Sequence, residues 1–179
     1  MNIPPNVILI GAMGAGKTFT GKELSRLLGF QFLDMDQWIE QKSGKKIKDI
    51  FQTEGESFFR QKEIEAVDWL KDKRNHVIST GGGVWVSDEN RAKLLDLGWC
   101  VWLKVSAKEL LRRVGPNLDT RPLLASSPDP LKTVEGILAQ REPLYSLAHA
   151  QVGTDGKGPK DVALEIQRLF LEAKPFDLS

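Results

Sequence analysis

Cysteine is almost missing from this chain of 179 residues: Cys100 stands alone. A single thiol excludes an intramolecular disulfide framework. Its setting, Trp99-Cys100-Val101-Trp102-Leu103, reads as a buried apolar run in which the thiol is a small hydrophobe. Histidine is nearly as scarce. His76 and His149 lie far apart, so no His/Cys metal spacing exists, and a metal here would be held by oxygen. No apolar run approaches the roughly 20 residues needed to cross a bilayer. Neither charge is in excess: 25 Lys and Arg face 24 Asp and Glu, for a formal net charge of +1. That balance argues against a general nucleic-acid binder and leaves room only for local basic pockets. The start, Met1-Asn2-Ile3-Pro4-Pro5, has no basic segment ahead of its apolar stretch and does not read as a signal peptide. A soluble cytoplasmic protein is expected, with no membrane or nucleic-acid partner.

What is present supports a core, since 41% of residues are apolar. There are no repeats, heptads or long charge blocks. Short apolar runs alternate with stretches of helical period. The first run, Val7 to Ile10, is apolar on both sides, as in the middle of a parallel sheet. Further candidate strands are Phe30 to Asp34, Val77 to Thr80, Trp99 to Val105 and, more weakly, Ala150 to Val152. Ala107, Leu110, Leu111 and Val114 fall at helical spacing, as do Val162, Ile166, Leu169 and Phe170. Strand alternating with helix implies βαβ units, an α/β fold, and ligands at the carboxyl ends of the strands. Gly115 to Pro130 breaks the pattern with four prolines and no period, and is read as a lid.

After the first strand comes Gly11-Ala12-Met13-Gly14-Ala15-Gly16-Lys17-Thr18, a G-x-x-x-x-G-K-T loop with a strand before it and a helix after. Glycines let the backbone curl so that its N–H groups face phosphate oxygens, and the helix adds its positive end. Lys17 is expected to reach the β- and γ-phosphates and the Thr18 hydroxyl to ligate Mg²⁺. The chain lacks both the Asn-Lys-x-Asp of a guanine reader and the apolar strand ending in Asp-Glu of a motor ATPase. Small-molecule kinases remain.

Asp34-Met35-Asp36 ends the second candidate strand. On a strand both carboxylates share a face. Asp34 is assigned to the metal and Asp36 to a substrate hydroxyl whose proton it accepts, with a helix N-cap by Asp36 as the alternative. Arg60 and Glu63 lie at i, i+3 beside the stripe of a helix read over Glu56 to Lys71. They are either a structural ion pair or an arginine held to grip an anion. Leu131, Val134 and Leu138 form the stripe of a later helix, which Arg141 and Tyr145 continue. An arginine on such a stripe needs an acceptor, either a bound carboxylate or a core acid. Gly81-Gly82-Gly83 after the third strand is a bare turn or a second pocket wall, with Ser79 and Thr80 before it where a metal-side hydroxyl can sit.

Together GAMGAGKT, LDMD, GESFFRQKE, STGGG, RPLL and REPLY resemble the shikimate kinases, over about Val7 to Phe170. The resemblance implies ATP-dependent phosphorylation of the 3-hydroxyl of shikimate, within chorismate and aromatic amino-acid biosynthesis. It implies a P-loop three-layer α/β/α fold, a five-stranded parallel sheet in the order 2-3-1-4-5, and a mobile lid at 115–130. The whole of 1–179 is taken as one domain, with 34–63 as the substrate-binding segment, and as a monomer. Asp36, Arg60, Gly82, Gly83 and Arg141 are implied to contact shikimate, the two arginines through its carboxylate. Lys17, Asp36 and Arg121 are implied to be catalytic, with Arg121 approaching the transferring phosphoryl group from the lid. The nucleotide set is Gly11, Gly14, Ala15, Gly16, Lys17, Thr18, Phe19, Arg112, Arg121 and Lys157, and Thr18 and Asp34 hold Mg²⁺. The family often has arginine in the late loop where this chain has Lys157, which cannot stack as a guanidinium plane does. A gluconate-type kinase of the same build and a catalytically silent kinase-like regulator are the competing readings.

Overall fold

The computed structural model describes residues 6–115 and 127–173. Five strands form one parallel sheet: β1 (Val7–Ile10), β2 (Gln31–Asp34), β3 (His76–Ser79), β4 (Trp99–Lys104) and β5 (Ala150–Gly153). Their order is β2-β3-β1-β4-β5. β1 is central, with Val7 opposite Val77 on one side and Trp99 on the other. All four of its residues are fully buried, as expected of a strand covered on both faces.

Among the described residues eight α-helices cover the sheet: α1 (Lys17–Leu28), α2 (Met35–Ser43), α3 (Ile47–Thr53), α4 (Glu56–Trp69), α5 (Asp88–Leu97), α6 (Ala107–Val114), α7 (Pro130–Tyr145) and α8 (Pro159–Ala173). Side chains alternate across each strand, so the core has two halves. Val7, Leu9, Val101 and Leu103 face α1 and α8, where Leu24, Ile166 and Phe170 close the layer. Ile8, Ile10, Ile78, Cys100 and Trp102 face the other way, onto Met35, Ile39, Val67 and Leu94 from α2, α4 and α5. Burial leaves the Cys100 thiol firmly protonated. Trp85, Trp99 and Trp102 are core residues, whereas Trp38 and Trp69 stack at 5.2 Å in a half-buried pair.

Asn6 fixes the amino end of the sheet. It is fully buried, and its Nδ2 donates to the carbonyls of Lys73 and Leu97 at 2.9 and 2.8 Å. Its Oδ1 accepts from the His76 N–H at 3.1 Å, and its carbonyl accepts from the Trp99 N–H. A buried amide with donors and acceptors matched in this way holds β1, β3 and β4 in register.

One expectation about the strands is corrected. β2 ends at Asp34, so Asp34 and Asp36 are not alternate residues of one strand. Oδ1 of Asp34 accepts from the N–H groups of Asp36 and Gln37 and starts α2. The helix cap is therefore Asp34, and Asp36 stands in the first helical turn. Most of the expected lid, including Arg121, lies outside the described residues.

Candidate active site

The chemistry gathers at the carboxyl ends of β1, β2 and β3. After β1 the loop turns through Gly11, Gly14 and Gly16 at φ of 141°, 86° and 93°. A Cβ on Gly11 would lie 2.7 Å from the Leu103 carbonyl oxygen, and one on Gly14 would lie 2.9 Å from Val114. Both the backbone conformation and the close packing exclude a side chain there. α1 begins on Gly16 with no side-chain cap, in contrast to α2, α5, α6 and α7. Its first N–H groups are thus left to an anion. Nζ of Lys17, only 8% exposed, donates to the carbonyls of Gly11 and Ala12 at 2.8 and 2.9 Å.

Next to the loop, Oγ1 of Thr18 donates to Oδ2 of Asp34 at 2.7 Å and lies 3.4 Å from Oγ of Ser79. β2 and β3 place this group, since Asp34 and Ser79 are partners in register. Two hydroxyls and a carboxylate are hard oxygen donors of the kind magnesium takes. The donor chemistry fits that ion.

Asp36 sits one turn further on. Its Oδ1 is buried with no hydrogen-bond partner, as is Oε1 of Glu63. Both oxygens face Gly81: a Cβ there would lie 2.9 Å from the first and 3.3 Å from the second. The carboxyl of Asp36 is raised to about 6 by burial first, then by Asp34, with Glu63 and Glu40 adding to the push and Lys17 opposing it. Burial also raises Glu63, against the pull of Arg60.

Arg60 on α4 reaches over the glycine turn. Nη1 donates to Oε2 of the nearly inaccessible Glu63 at 2.7 Å, and Nη2 donates to Oε1 of Glu56 at 3.0 Å. Its guanidinium lies where a side chain on Gly83 would stand. From the opposite wall, Nη1 of Arg141 on α7 donates to the Gly82 carbonyl at 3.1 Å. The glycine turn is thus flanked by two guanidinium groups, with the P-loop residue Met13 against Gly82. Asp36, Arg60, Gly82, Gly83 and Arg141, named from sequence, meet here.

A second cleft, of 410 Å³, lies on the other side of the loop, lined by Gly16, Phe19, Arg112, Arg113, Lys157 and Pro159 among others. Phe19 is 67% exposed beside it. The two arginines differ. Arg112 is exposed and pairs with Glu109 at 2.8 Å. Arg113 donates to the Ala15 carbonyl at 3.2 Å and to Oγ1 and the carbonyl of Thr154 at 3.1 and 2.8 Å. It ties the P-loop to the loop after β5. Lys157 pairs with Glu165 at 2.6 Å. Glu63 and Ser79 were noticed in the sequence, Glu63 as the partner of Arg60 and Ser79 as a metal-side hydroxyl. The bond between Arg113 and Thr154 becomes visible only when β5 is brought beside β4.

A family model described as shikimate kinase matches residues 13–170. A shikimate kinase of Moorella thermoacetica is 42% identical over 165 residues, covering 92% of this chain and 94% of its own. One from Persephonella marina is 38% identical over 161 residues, covering 90% and 96%. The solved structure of an Acinetobacter baumannii shikimate kinase in complex with shikimate superposes with a TM-score of 0.88 at 38% identity, covering 96% of this chain and 95% of that one. Likeness of this extent spans the P-loop, both guanidinium walls and the glycine turn alike, and the chain belongs to the shikimate kinase family.

Proposed function

We propose that this protein transfers the γ-phosphoryl group of ATP to the 3-hydroxyl of shikimate, a step in chorismate and aromatic amino-acid biosynthesis. The observation that carries this reading is the pairing of Arg60 and Arg141 across the glycine turn, beside a phosphate-binding loop. Two guanidinium groups suit a carboxylate, which each can grip with parallel hydrogen bonds. Asp36 faces Gly81 of that turn and feels the charge of Lys17, which suits it to the acceptor's hydroxyl beside the phosphate loop.

In the reaction the hydroxyl oxygen forms a bond to the γ-phosphorus, and the bond from that phosphorus to the bridging oxygen of ADP breaks. Asp36 takes the hydroxyl proton, which a carboxyl near 6 can do at neutral pH. Lys17 leaves the Gly11 and Ala12 carbonyls and turns to the phosphates, where charge spreads in the transition state. Thr18 and Asp34, with Ser79 beside them, would hold Mg²⁺. When bound, that ion would offset phosphate charge and orient the donor. Arg121, which lies outside the described residues, is assigned to the transferring group, and 115–130 to the role of a lid. The base is read as lying in the cleft of Phe19, Arg112, Arg113 and Lys157. The reading takes the protein as a cytoplasmic monomer of one domain.

Phosphorus NMR of a mixture with Mg·ATP tests it. A new phosphate monoester should appear with shikimate, in step with ADP. Phosphorylation of gluconate but not shikimate, or no acceptor-dependent ADP release at all, would overturn the assignment.

A further inference from the structure

The carbonyl oxygen of Gly82 takes two donors. One is Nη1 of Arg141 at 3.1 Å, and the other is the phenol of Tyr145 at 3.0 Å. A carbonyl has two lone pairs, so both are used. Arg141 and Tyr145 stand at i, i+4 on one face of α7, which brings both to the same atom. Tyr145 is 1% exposed, and burial keeps its phenol protonated as a donor, although the nearby Arg141 pulls the other way. One turn of chain away the exchange is returned: Nε1 of the buried Trp85 donates to the Leu144 carbonyl at 2.8 Å. The end of α7 and the segment from Gly82 to Trp85 are therefore stitched at two points.

The ring of Tyr145 also stacks on Trp102, with centroids 5.6 Å apart and planes at 28°. Trp102 is the register partner of Ile10, the last residue before the P-loop, and it packs against Gly11. The tyrosine thus has its ring against the base of the phosphate loop and its hydroxyl on the acceptor wall.

We infer that Tyr145 is a positioning residue for the acceptor's carboxylate, acting through the Gly82 carbonyl that it shares with Arg141. Without the phenol, that peptide keeps only the guanidinium as donor. Its plane is then free to turn, and the guanidinium turns with it. The reacting atoms are untouched, so the loss falls on acceptor binding. The inference rests on the reading of Arg141 as a carboxylate grip. Turnover of shikimate by the unaltered protein and loss of shikimate affinity in Arg141→Lys test that reading beforehand, so the two fail separately.

The test is Tyr145→Phe, which keeps ring, stack and volume. KM for shikimate should rise about five- to tenfold, the effect of one hydrogen bond, with kcat and KM for ATP within about twofold. An acceptor analogue with the carboxylate replaced by a neutral group should show no such rise. In an Arg141→Ala background the added substitution should also have little effect, because the group it positions is gone. An unchanged KM, an equal rise for the neutral analogue, or full additivity with Arg141→Ala would each overturn the inference.

Discussion

A Cβ on Gly83 would lie 2.5 Å from Nη1 of Arg60, and 3.1 Å from both Cζ and Nη2. The clash is with the far end of a flexible side chain, not with backbone. Gly83→Ala should therefore displace the guanidinium and leave the fold standing, with a stability change within about 0.5 kcal/mol. Acceptor KM should rise about tenfold or more, as expected for a charge-assisted grip that is lost. Gly98 provides the contrast. A Cβ there would lie 2.6 Å from the Asn6 carbonyl oxygen, which is backbone, so Gly98→Ala should lower the melting temperature clearly. Chemical denaturation alongside acceptor titration checks both. A Gly83→Ala protein with normal KM would show that Arg60 does not need its present place.

Asp36 should cost the fold stability. Its folded pKa of about 6 lies above the ordinary aspartate value of 3.8, so the folded state binds more protons between those values. Stability therefore falls as pH rises through that window, by on the order of 3 kcal/mol, and the cost persists at pH 7. Asp36→Asn should then be more stable than the parent at pH 7, with the gain shrinking towards pH 4, while phosphorylation is abolished. The parent's turnover should decline as pH drops through about 6. Urea melts at the two pH values decide; an equal gain at both would place the effect elsewhere.

Lys17→Ala should cut turnover by about a hundredfold or more, since a preorganised charge on the phosphates is lost. Far-UV circular dichroism should be unchanged, because the lysine's bonds to the Gly11 and Ala12 carbonyls lie within its own loop. Activity near that of the parent would remove Lys17 from the mechanism.

Arg141→Lys keeps the charge and loses the fork. A single ammonium cannot hold the Gly82 carbonyl and two carboxylate oxygens in one plane. Shikimate affinity by calorimetry should fall about tenfold or more while nucleotide affinity stays put. Survival of shikimate affinity would move the carboxylate to another site.

Much of this was legible in the sequence because the signals are local. A P-loop is a run of eight residues, and uniformly apolar β1 and the helical stripes read directly as a doubly covered parallel sheet. The strand order and the acceptor came through resemblance, not periodicity. The misreading of Asp34 and Asp36 is also local. Two-residue spacing marks one face only while the strand lasts, and a capping carboxylate ends it after the first acid. The tie made by Arg113 was invisible for a different reason. Its partners Ala15 and Thr154 are distant in the chain, so telling its role from that of Arg112 required the fold.

The amide of Asn6 has a consequence for synthesis on the ribosome. The strand that launches the phosphate loop is translated before its lateral partners, residues 76–79 and 99–104, and the amide's own bonds reach on to Lys73, His76 and Leu97. Until those partners have emerged, the strand lacks its place in the sheet, and it waits as an exposed apolar stretch. A nascent chain stalled before Trp99 should accordingly be a client for chaperones.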